Sequence, residues 1–560
     1  MPTIEVLFDD LERLVGVKLP RSEEELNDIL SYVKGEVELL QGNDLKIEIK
    51  DGNRPDIWNV EGIARELRGA LEVELGLREY RVEAGSGARI DVDPTLEHIR
   101  PYIAAAIIMD VKLNDEIIRE AMHLQDKLDQ TYGRRRSRAS IGLYNFDLIT
   151  PPLKYTTSVP PGISFVPLGF SEEMTLQEIL EKHPKGVEYG HIVRKFDRWP
   201  LLVDSKNRVL SFPPIINSND LGRLTAETRN VLIEVTGTIH ETVTNTLTIV
   251  ALSLADRGGR IYSELISYPY GPTKEEETPK LERQTVTIDT GYANKILGLN
   301  LTSAEIARLL QRARYGVPRV DGNRLTVQIP CYRIDMMHPM DVIEDAAIMY
   351  GFNRIKPRMP HLVTVGGVSP KEGFVDLVRE IMAGEGFQEV LTFTMNNPEN
   401  LFTKMNLERQ EIIEVANPKS LTYTCLRSWV IPSLMEFLSN NTHVEYPQKV
   451  YEVSDCVTVG DGETRTETST NLACLSTHAR ANFTEVKAIL DTLLLNLGRR
   501  YTLVETRHQS FIEGRVGKVM ANRKRIGIVG EISPRVLEMW GLENPVAGFE
   551  ISLSAFLPRK

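Results

Sequence analysis

The sequence is poor in residues that build metal cages and covalent frameworks. It has only 4 cysteines and 10 histidines in 560 residues. No two cysteines form a C-x-x-C pair and no H-E-x-x-H pattern occurs, so common zinc sites and a disulfide framework are not indicated. P-loop, dinucleotide-binding and G-x-S-x-G patterns are also missing. These absences exclude the familiar motif-defined NTPases, dehydrogenases and serine hydrolases.

Long apolar runs and a basic leader are missing as well. No run approaches the roughly 20 apolar residues that span a bilayer. The first residues, MPTIEVLFDDLERL, carry acids where a secretory signal carries bases. The net charge is −12, whereas proteins that coat nucleic acid are usually basic. We therefore expect a soluble cytoplasmic protein that uses no membrane and binds RNA only through local basic patches.

The length predicts three to five domains, and two segments resemble each other. In residues 1–90 and again in 283–360, a capping box opens a helix, a strand follows, and a second helix comes after a break. We interpret them as duplicated helix-rich modules of winged or helix-turn-helix type. The alternative is a chance similarity between amphipathic helices. The matched positions are Leu30 with Leu310, Asp56 with Asp335, and Glu61 with Glu344.

The rest of the chain predicts two further domains, giving a multidomain α+β protein. Residues 91–275 are β-rich, and the acidic stretch TKEEETPKLER follows as a linker. Residues 365–560 mix helices with antiparallel strands. The strands expected in the β-rich part are AIIMDV, SIGLYNFD, ISFVPL, PLLVDS, RVLSFPPII, NVLIEVTG and NTLTIVALSLA.

An acidic cluster is the sharpest local pattern. Asp341, Glu344 and Asp345 share one face of a predicted helix, and Asp335 lies just upstream. Oxygen ligands without histidine or cysteine suit Mg²⁺ or Ca²⁺. The alternative is that acids in a first helical turn complement the helix dipole. The first segment has Gly62 where Asp345 stands, so we expect the full cluster in the second segment only.

Two other groups of polar residues invite a functional interpretation. The basic run Arg134, Arg135, Arg136 and Arg138 suits phosphates of an RNA end, or is a solvated helix terminus. A second set of polar residues lies in the β-rich part. It would line a binding pocket, or it would form the solvent-exposed face of an antiparallel sheet. That set is Ser211, Asn217, Asn219, Glu234 and Thr236.

Several stretches resemble, in chain order, the phenylalanyl-tRNA synthetase β-subunit family. Together they sample nearly the whole chain. The chain is too short for the inserted and C-terminal RNA-binding domains of the long bacterial form, so it resembles the archaeal/eukaryotic type. The stretches are IEIKDGNRPDIWNVEGIARELRG, FPPIINSNDLGRLTAETRNVLIEVTGT, IPCYRIDMMHPMDVIEDAAIMYGFNRI, GFQEVLTFTMNNPE and VANPKSLTYTCLRSWVIPSLMEFLSNN.

The resemblance implies roles for the groups above. It implies a β-rich editing domain that hydrolyses Tyr-tRNA(Phe), with Glu234 recognising the tyrosine hydroxyl. It also implies an α subunit that uses ATP to charge tRNA(Phe), in an (αβ)₂ assembly. Asp335, Asp341, Glu344 and Asp345 match the family's Mg²⁺-binding acids near the α interface. The other pocket candidates are Leu202, Ser211, Asn217, Thr236 and Gly237.

The C-terminal block is expected to be a degenerate class II synthetase domain. LRSWVIPS lacks the usual Arg-x-Glu arrangement for ATP, and no glycine-rich stretch precedes a catalytic arginine near the end. Without such cations adenylate formation is not expected, so we predict no aminoacylation residues here. Two other hypotheses are a non-enzymatic nucleic-acid-binding scaffold and a self-sufficient class II ligase.

Overall fold

A computed structural model describes residues 2–85, 88–360, 362–521 and 523–557. The chain forms two compact units, Met1–Met359 and Pro360–Lys560. In the first unit, one small module precedes a larger β-rich domain in the chain and a second small module follows it. Within the described ranges, every helix is too short or too polar to cross a bilayer. The α+β, multidomain class predicted from the sequence is confirmed.

The first module is a three-stranded sheet with three helices. Ser22 Oγ caps α2 at the Glu25 N–H, as the sequence predicted, and Asn59 caps α3 in the same way. The strands pair in the order β1–β3–β2. Only β3 was predicted; β1 also alternates polar and apolar residues, with Ile4 and Val6 buried, but it is only five residues long. The elements are β1 (Thr3–Leu7), α1 (Phe8–Val15), α2 (Glu23–Leu30), β2 (Gly35–Gln41), β3 (Asp44–Ile49) and α3 (Val60–Ala70).

The second module repeats this order of elements. Its strands pair as β17–β19–β18, the same arrangement as in the first module. A reciprocal capping box between Thr302 and Glu305 opens α9. Repeated topology is what a duplication predicts, while the winged or helix-turn-helix description stays a prediction. The elements are β17 (Thr285–Asp289), α8 (Thr290–Leu297), α9 (Ser303–Arg312), β18 (Gly316–Asp321), β19 (Arg324–Gln328) and α10 (Pro339–Tyr350).

A large mixed sheet forms the middle domain. Its main path is β13-β12-β11-β8-β5-β15-β6-β14-β7, and β4 and β16 also pair with β15. The elements are β4 (Val82–Glu83), β5 (Arg89–Val92), β6 (Tyr102–Met109), α4 (Asp115–Gln130), β7 (Ala139–Asn145), β8 (Leu153–Ser158), β9 (Ser164–Phe165), β10 (Met174–Thr175), α5 (Leu176–Lys182), α6 (Pro184–Tyr189), β11 (Trp199–Val203), β12 (Val209–Phe212), β13 (Ile216–Asn217), β14 (Val231–Gly237), α7 (His240–Asp256), β15 (Arg260–Ser267) and β16 (Glu275–Thr278).

Two local predictions for this domain are wrong. NTLTIVALSLA is part of helix α7, not a strand, and α7 packs on β6 and β14. A continuous buried apolar run does not distinguish a strand from a buried helix, and its β-branched residues favoured the strand. The stretch predicted as a linker contains β16, which pairs with β15.

The second compact unit is a seven-stranded sheet covered by helices. The order is β20-β23-β24-β28-β27-β26-β25, and every pair except β20–β23 is antiparallel. Helices α11 and α13 contribute to one core, and α12 and α14 to another. The elements are α11 (Pro370–Gly384), β20 (Gln388–Glu389), β21 (Met395–Asn396), β22 (Cys425–Leu426), α12 (Ile431–Asn440), β23 (Gln448–Val459), β24 (Thr466–Thr477), α13 (Phe483–Asn496), β25 (Thr502–Glu505), β26 (Phe511–Ala521), β27 (Lys524–Ile532), α14 (Pro534–Trp540) and β28 (Val546–Ser552).

Candidate functional site

The middle sheet brings the predicted pocket residues together by strand register. Leu202 on β11 lies opposite Ser211 on β12, and Ser211 lies opposite Asn217 on β13. Glu234 and Thr236 are two residues apart on β14, so their side chains leave the same face. Residues far apart in sequence therefore converge at one end of the domain.

A cavity of about 160 Å³ opens among these strands. Ser211, Asn217 and Glu234 line it, together with Arg136 from the basic run. Leu202 is fully buried in the apolar core behind it. Predicted pocket residues thus divide into three that line the cavity and three, Leu202, Thr236 and Gly237, that lie outside its lining.

The cavity wall holds buried polar atoms that await a partner. Glu234 is 2% exposed, and its Oε2 accepts a hydrogen bond from Tyr144 Oη at 2.7 Å. Glu234 Oε1 and Ser211 Oγ are buried, and no described residue meets either atom with regular hydrogen-bond geometry, although the hydroxyl of Thr236 lies near Glu234 and that of Tyr144 near Ser211. Leaving a buried polar atom without a hydrogen bond costs about 1–3 kcal/mol. A ligand hydroxyl that donates to Glu234 Oε1 and accepts from Ser211 Oγ would remove this cost at both atoms.

Burial makes Glu234 titrate near neutrality. Loss of solvent raises the pKa of Glu234 to about 7, against the opposing effects of the Tyr144 hydrogen bond and the charge of Arg100. The carboxyl group therefore changes charge within the physiological pH range. Perturbed acids in cavities are typical of functional sites.

Arg100 organises the hydroxyl groups next to this carboxylate. It is buried, and Nε donates to Thr236 Oγ1 at 2.9 Å while Nη2 donates to Ser140 Oγ at 3.0 Å. No carboxylate forms an ion pair with it in the described part of the chain. Arg100, Ser140 and Tyr144 were missed in the sequence because none belongs to a motif, and only strand register places them beside Glu234.

The four arginines of the basic run have different environments. Arg136 is buried, and its Nη1 donates to Pro214 O and Ile215 O at 3.2 and 2.9 Å in the cavity wall. Arg134, Arg135 and Arg138 are exposed. Three consecutive residues, Arg134–Arg136, have φ values of 51°, 52° and 64°, a left-handed turn that costs energy without glycine.

Gly237 lies against the backbone of this turn. A Cβ at Gly237 would lie 2.1 Å from the Arg138 carbonyl oxygen. Only glycine therefore fits at the end of β14, where the backbone passes close to that of Arg138 in the arginine turn. It contributes no wall to the cavity.

Two of the predicted metal acids share one arginine. Asp335 accepts hydrogen bonds from Arg333 Nε and Nη2, both at 2.8 Å. Asp345 accepts from Arg333 Nη1 at 2.7 Å and from Tyr315 Oη at 2.6 Å. Burial opposes ionisation of Asp335, but the hydrogen bonds and charge of Arg333 outweigh it and lower the pKa of Asp335.

The other two acids point to different partners. Asp341 Oδ2 accepts the backbone N–H groups of Met337 and His338 at 2.8 Å, so it caps α10. Glu344 pairs with Lys34 of the first module at 2.8 Å. In the described ranges no three acidic, histidine or cysteine side chains are grouped as a metal ion requires. The four acids in this arrangement do not fit one shared Mg²⁺, and the magnesium site stays a prediction.

The first module contains a matching charge cluster. Arg54 bonds Asp56 at 2.7 Å and Glu66 at 3.1 Å, and Glu66 stands 12 residues after Arg54. Asp345 likewise stands 12 residues after Arg333. Burial and the nearby charge of Arg333 disfavour protonation of Arg54, but Asp56 and Glu66 hold its pKa above the usual value. The two clusters therefore lie close together and interact.

This cluster corrects the sequence alignment. Glu61 does not correspond to Glu344: it accepts hydrogen bonds from Asn59 and Arg257, at the contact with α7. Nor does the first module lack an acid equivalent to Asp345, because Glu66 takes that place and Gly62 is only a capped helix residue. Matching Glu61 with Glu344 shifts the alignment of the two modules by several residues relative to the match of Asp56 with Asp335.

In the C-terminal unit, the arginine of the stretch LRSW forms an internal ion pair. Arg427, from the stretch LRSW, is fully buried, and its Nη2 donates to the buried Glu452 at 2.8 Å. Its Nη1 donates to Thr392 Oγ1 at the same distance. A guanidinium satisfied in this way is not free to neutralise a nucleotide phosphate. The prediction that this unit lacks an aminoacylation site remains untested, and this geometry agrees with it.

Two known protein families match parts of the chain. The family described as "Phenylalanyl tRNA synthetase beta chain CLM domain" matches residues 355–553. The family "tRNA synthetase B5 domain" matches residues 286–352.

Similar full-length proteins and one solved structure agree with these matches. The chain is 45% identical to the phenylalanine–tRNA ligase β subunit of Pyrococcus furiosus, and 38% identical to that of Archaeoglobus fulgidus. In both cases 99% of each chain is covered. An N-terminal fragment of the phenylalanyl-tRNA synthetase β subunit from Pyrococcus horikoshii is 41% identical. It matches with a TM-score of 0.60 and covers 63% of this chain and 100% of that one.

Proposed function

The chain belongs to the phenylalanine–tRNA ligase β subunit family, and on that premise we propose that its middle domain removes tyrosine from misacylated tRNA(Phe). As a ligase subunit it takes part in the synthesis of Phe-tRNA, with tRNA and an α subunit as partners. The proposal further places ATP use and phenylalanine activation in the α subunit. It assigns the assembly to an (αβ)₂ heterotetramer in the cytoplasm.

One observation supports the editing role above all. Glu234 Oε1 and Ser211 Oγ lie buried and without a hydrogen-bond partner in the cavity wall of the described structure. Tyrosine differs from phenylalanine by one hydroxyl, and an apolar pocket rejects an added hydroxyl by only about 10²-fold. A second site that offers a buried acceptor selects the hydroxyl, because bound phenylalanine would leave that acceptor unpaired.

The chemistry asks little of the protein beyond binding and orientation. An aminoacyl ester is already activated, so a positioned water can attack it without a serine–histidine–aspartate triad. In this proposal Glu234 and Ser211 bind the phenol, and Arg100 holds Thr236 and Ser140 in place. The described residues form no group of three or more acidic, histidine or cysteine side chains that could hold a metal ion, and no step here is assigned to a metal. The acids near α10 remain proposed metal ligands that would need atoms from the α subunit.

Incubation of Tyr-tRNA(Phe) with the assembled enzyme tests the proposal. We expect release of free tyrosine at least tenfold faster than release of phenylalanine from Phe-tRNA(Phe). The α subunit assayed by itself is the control and should release neither. Equal loss of both amino acids, or no loss of either, would contradict an editing function.

The exposed arginines are proposed to contact the phosphates of the tRNA end. Changing Arg134, Arg135 and Arg138 to alanine should raise KM for Tyr-tRNA(Phe) about tenfold at moderate salt, with kcat within about twofold. The salt slope of tRNA binding should fall by up to about three, because each lost phosphate contact removes roughly one released counterion. Binding titrations across salt concentrations measure this.

A matched triple variant of exposed arginines in the C-terminal unit serves as the control. Arg499, Arg500 and Arg507 are suitable because they carry the same charge and lie outside the middle domain. If both triple variants changed the salt slope equally, the arginine turn would have no special part in RNA binding.

A further inference from the structure

Behind the cavity lies a tyrosine that no sequence pattern indicated. Tyr144 on β7 is fully buried, and its Oη donates to Glu234 Oε2 at 2.7 Å. The other carboxylate oxygen, Oε1, has no partner among the described residues. We propose that Tyr144 is a positioning residue that fixes Oε2 and so aims Oε1 at the hydroxyl of a bound tyrosyl group. This inference rests on the editing function proposed above.

The strand register supports a dedicated arrangement. Gly142 on β7 lies directly opposite Glu234 on β14. A Cβ at Gly142 would lie 2.2 Å from Tyr144 Oη and 2.5 Å from Glu234 Oε2. The side chain missing at this position leaves the space in which the two groups meet. Asn217 Oδ1 also lies 3.4 Å from Tyr144 Oη, which ties the same phenol to a cavity-lining residue.

The hydrogen bond from Tyr144 gives the two oxygens of the Glu234 carboxylate different roles. A free carboxylate rotates and offers either oxygen, whereas one held at Oε2 presents Oε1 in one direction. Glu234 therefore accepts one phenol from the protein and is left with one oxygen for a second phenol. A para-hydroxyl on the bound amino acid fits that geometry, and phenylalanine has nothing to offer it.

The charge state of Glu234 gives a readout that a purely structural role would not change. The Tyr144 hydrogen bond opposes the rise in the pKa of Glu234 that burial causes. Removing the bond raises this pKa further, so a larger fraction of Glu234 is protonated at neutral pH. Activity that needs the ionised acceptor then begins at higher pH. The titratable or charged groups facing this carboxylate or the cavity are Arg100, Asp126, Arg136, Tyr144, Tyr155 and Lys185.

The test is Tyr144→Phe in the assembled enzyme. We expect the pH of half-maximal Tyr-tRNA(Phe) clearance to move upward by about one unit. KM at neutral pH should rise about fivefold, because the ionised fraction of Glu234 at pH 7 falls from about one half to about one tenth. Phe-tRNA(Phe) synthesis should not change. Tyr268→Phe is the matched control, because Tyr268 is also buried but donates to the Ile103 carbonyl. It should lose a similar amount of stability without any shift in the pH profile.

A second variant and a binding measurement keep the test independent of folding and turnover. Gly142→Ala should shift the profile in the same direction, because its methyl group separates Tyr144 from Glu234. Calorimetric binding of a non-hydrolysable tyrosylamide of adenosine should show the same pH shift in both variants. If the unmodified enzyme releases no tyrosine from Tyr-tRNA(Phe), the proposed function fails. If it does release tyrosine but Tyr144→Phe and Gly142→Ala keep the original pH profile, only the role of Tyr144 is overturned.

Discussion

Changing Glu234 to alanine in the assembled enzyme should lower the rate of Tyr-tRNA(Phe) clearance by about 100-fold or more, while phenylalanine charging stays intact. The substitution removes the buried acceptor that distinguishes tyrosine from phenylalanine. Misacylated tRNA should therefore accumulate when tyrosine is present in excess. Single-turnover deacylation of preformed Tyr-tRNA(Phe), beside a standard charging assay, measures both parts.

The pH dependence of the unmodified enzyme adds a second check. The pKa of Glu234 is raised to about 7 by burial, so the carboxylate predominates above that pH and the neutral acid below it. Clearance should rise with pH through about 7. Glu276→Gln, another buried carboxylate in the same domain, is the control and should keep both the rate and the profile. Normal clearance by Glu234→Ala would remove this residue from the site.

The largest effect on stability is expected for Arg333→Met. This change leaves Asp335 and Asp345 buried without their cation, and breaking one partner of a buried ion pair costs about 3–5 kcal/mol. The lowered pKa of Asp335 gives the sign of the acid response. The stabilisation is complete above the ordinary aspartate pKa of 3.8 and is lost as pH falls through the lower folded-state value. Calorimetric unfolding of the full chain should show the transition of the Met1–Met359 unit at lower temperature.

An exposed pair nearby provides the comparison. Glu344→Gln removes the Lys34 ion pair, in which Glu344 is 52% exposed. Such surface pairs contribute at most about 1 kcal/mol, so its transition should move little. If Arg333→Met and Glu344→Gln gave equal, small shifts, the charge clusters would not stabilise the modules. Added Mg²⁺ should not rescue Arg333→Met unless the freed carboxylates then bind a metal.

Helix and strand positions were predictable where local signals agree with the tertiary structure. The helix over 60–70 has a capping asparagine and an amphipathic pattern, and it was found. Helix α7 was not found, because its buried apolar run has no periodicity and only packing on β6 and β14 decides its conformation. Strand β1 alternates polar and apolar residues but is short, and β2 is mostly exposed; both are completed by pairing with β3.

The candidate site was predictable only in part for a related reason. Glu234, Ser211 and Asn217 were identified, and register brings them to one cavity. Tyr144 reaches Glu234 from β7, and Arg100 reaches Thr236 from the segment just before β6. Both lie far from β14 in sequence, and no spacing rule connects them. For the acids, spacing placed three carboxylates on one helix face and Asp335 upstream, but it could not show that Arg333 binds both Asp335 and Asp345.

The two charge clusters are also made at different times during synthesis on the ribosome. Arg54, Asp56 and Glu66 are synthesised roughly 280 residues before Arg333, and at 5–20 residues per second this gap lasts about 15–55 s. During that interval the first cluster has no second module to cover it. The N-terminal module therefore lacks its contact with the second charge cluster until the last part of the first unit has been synthesised.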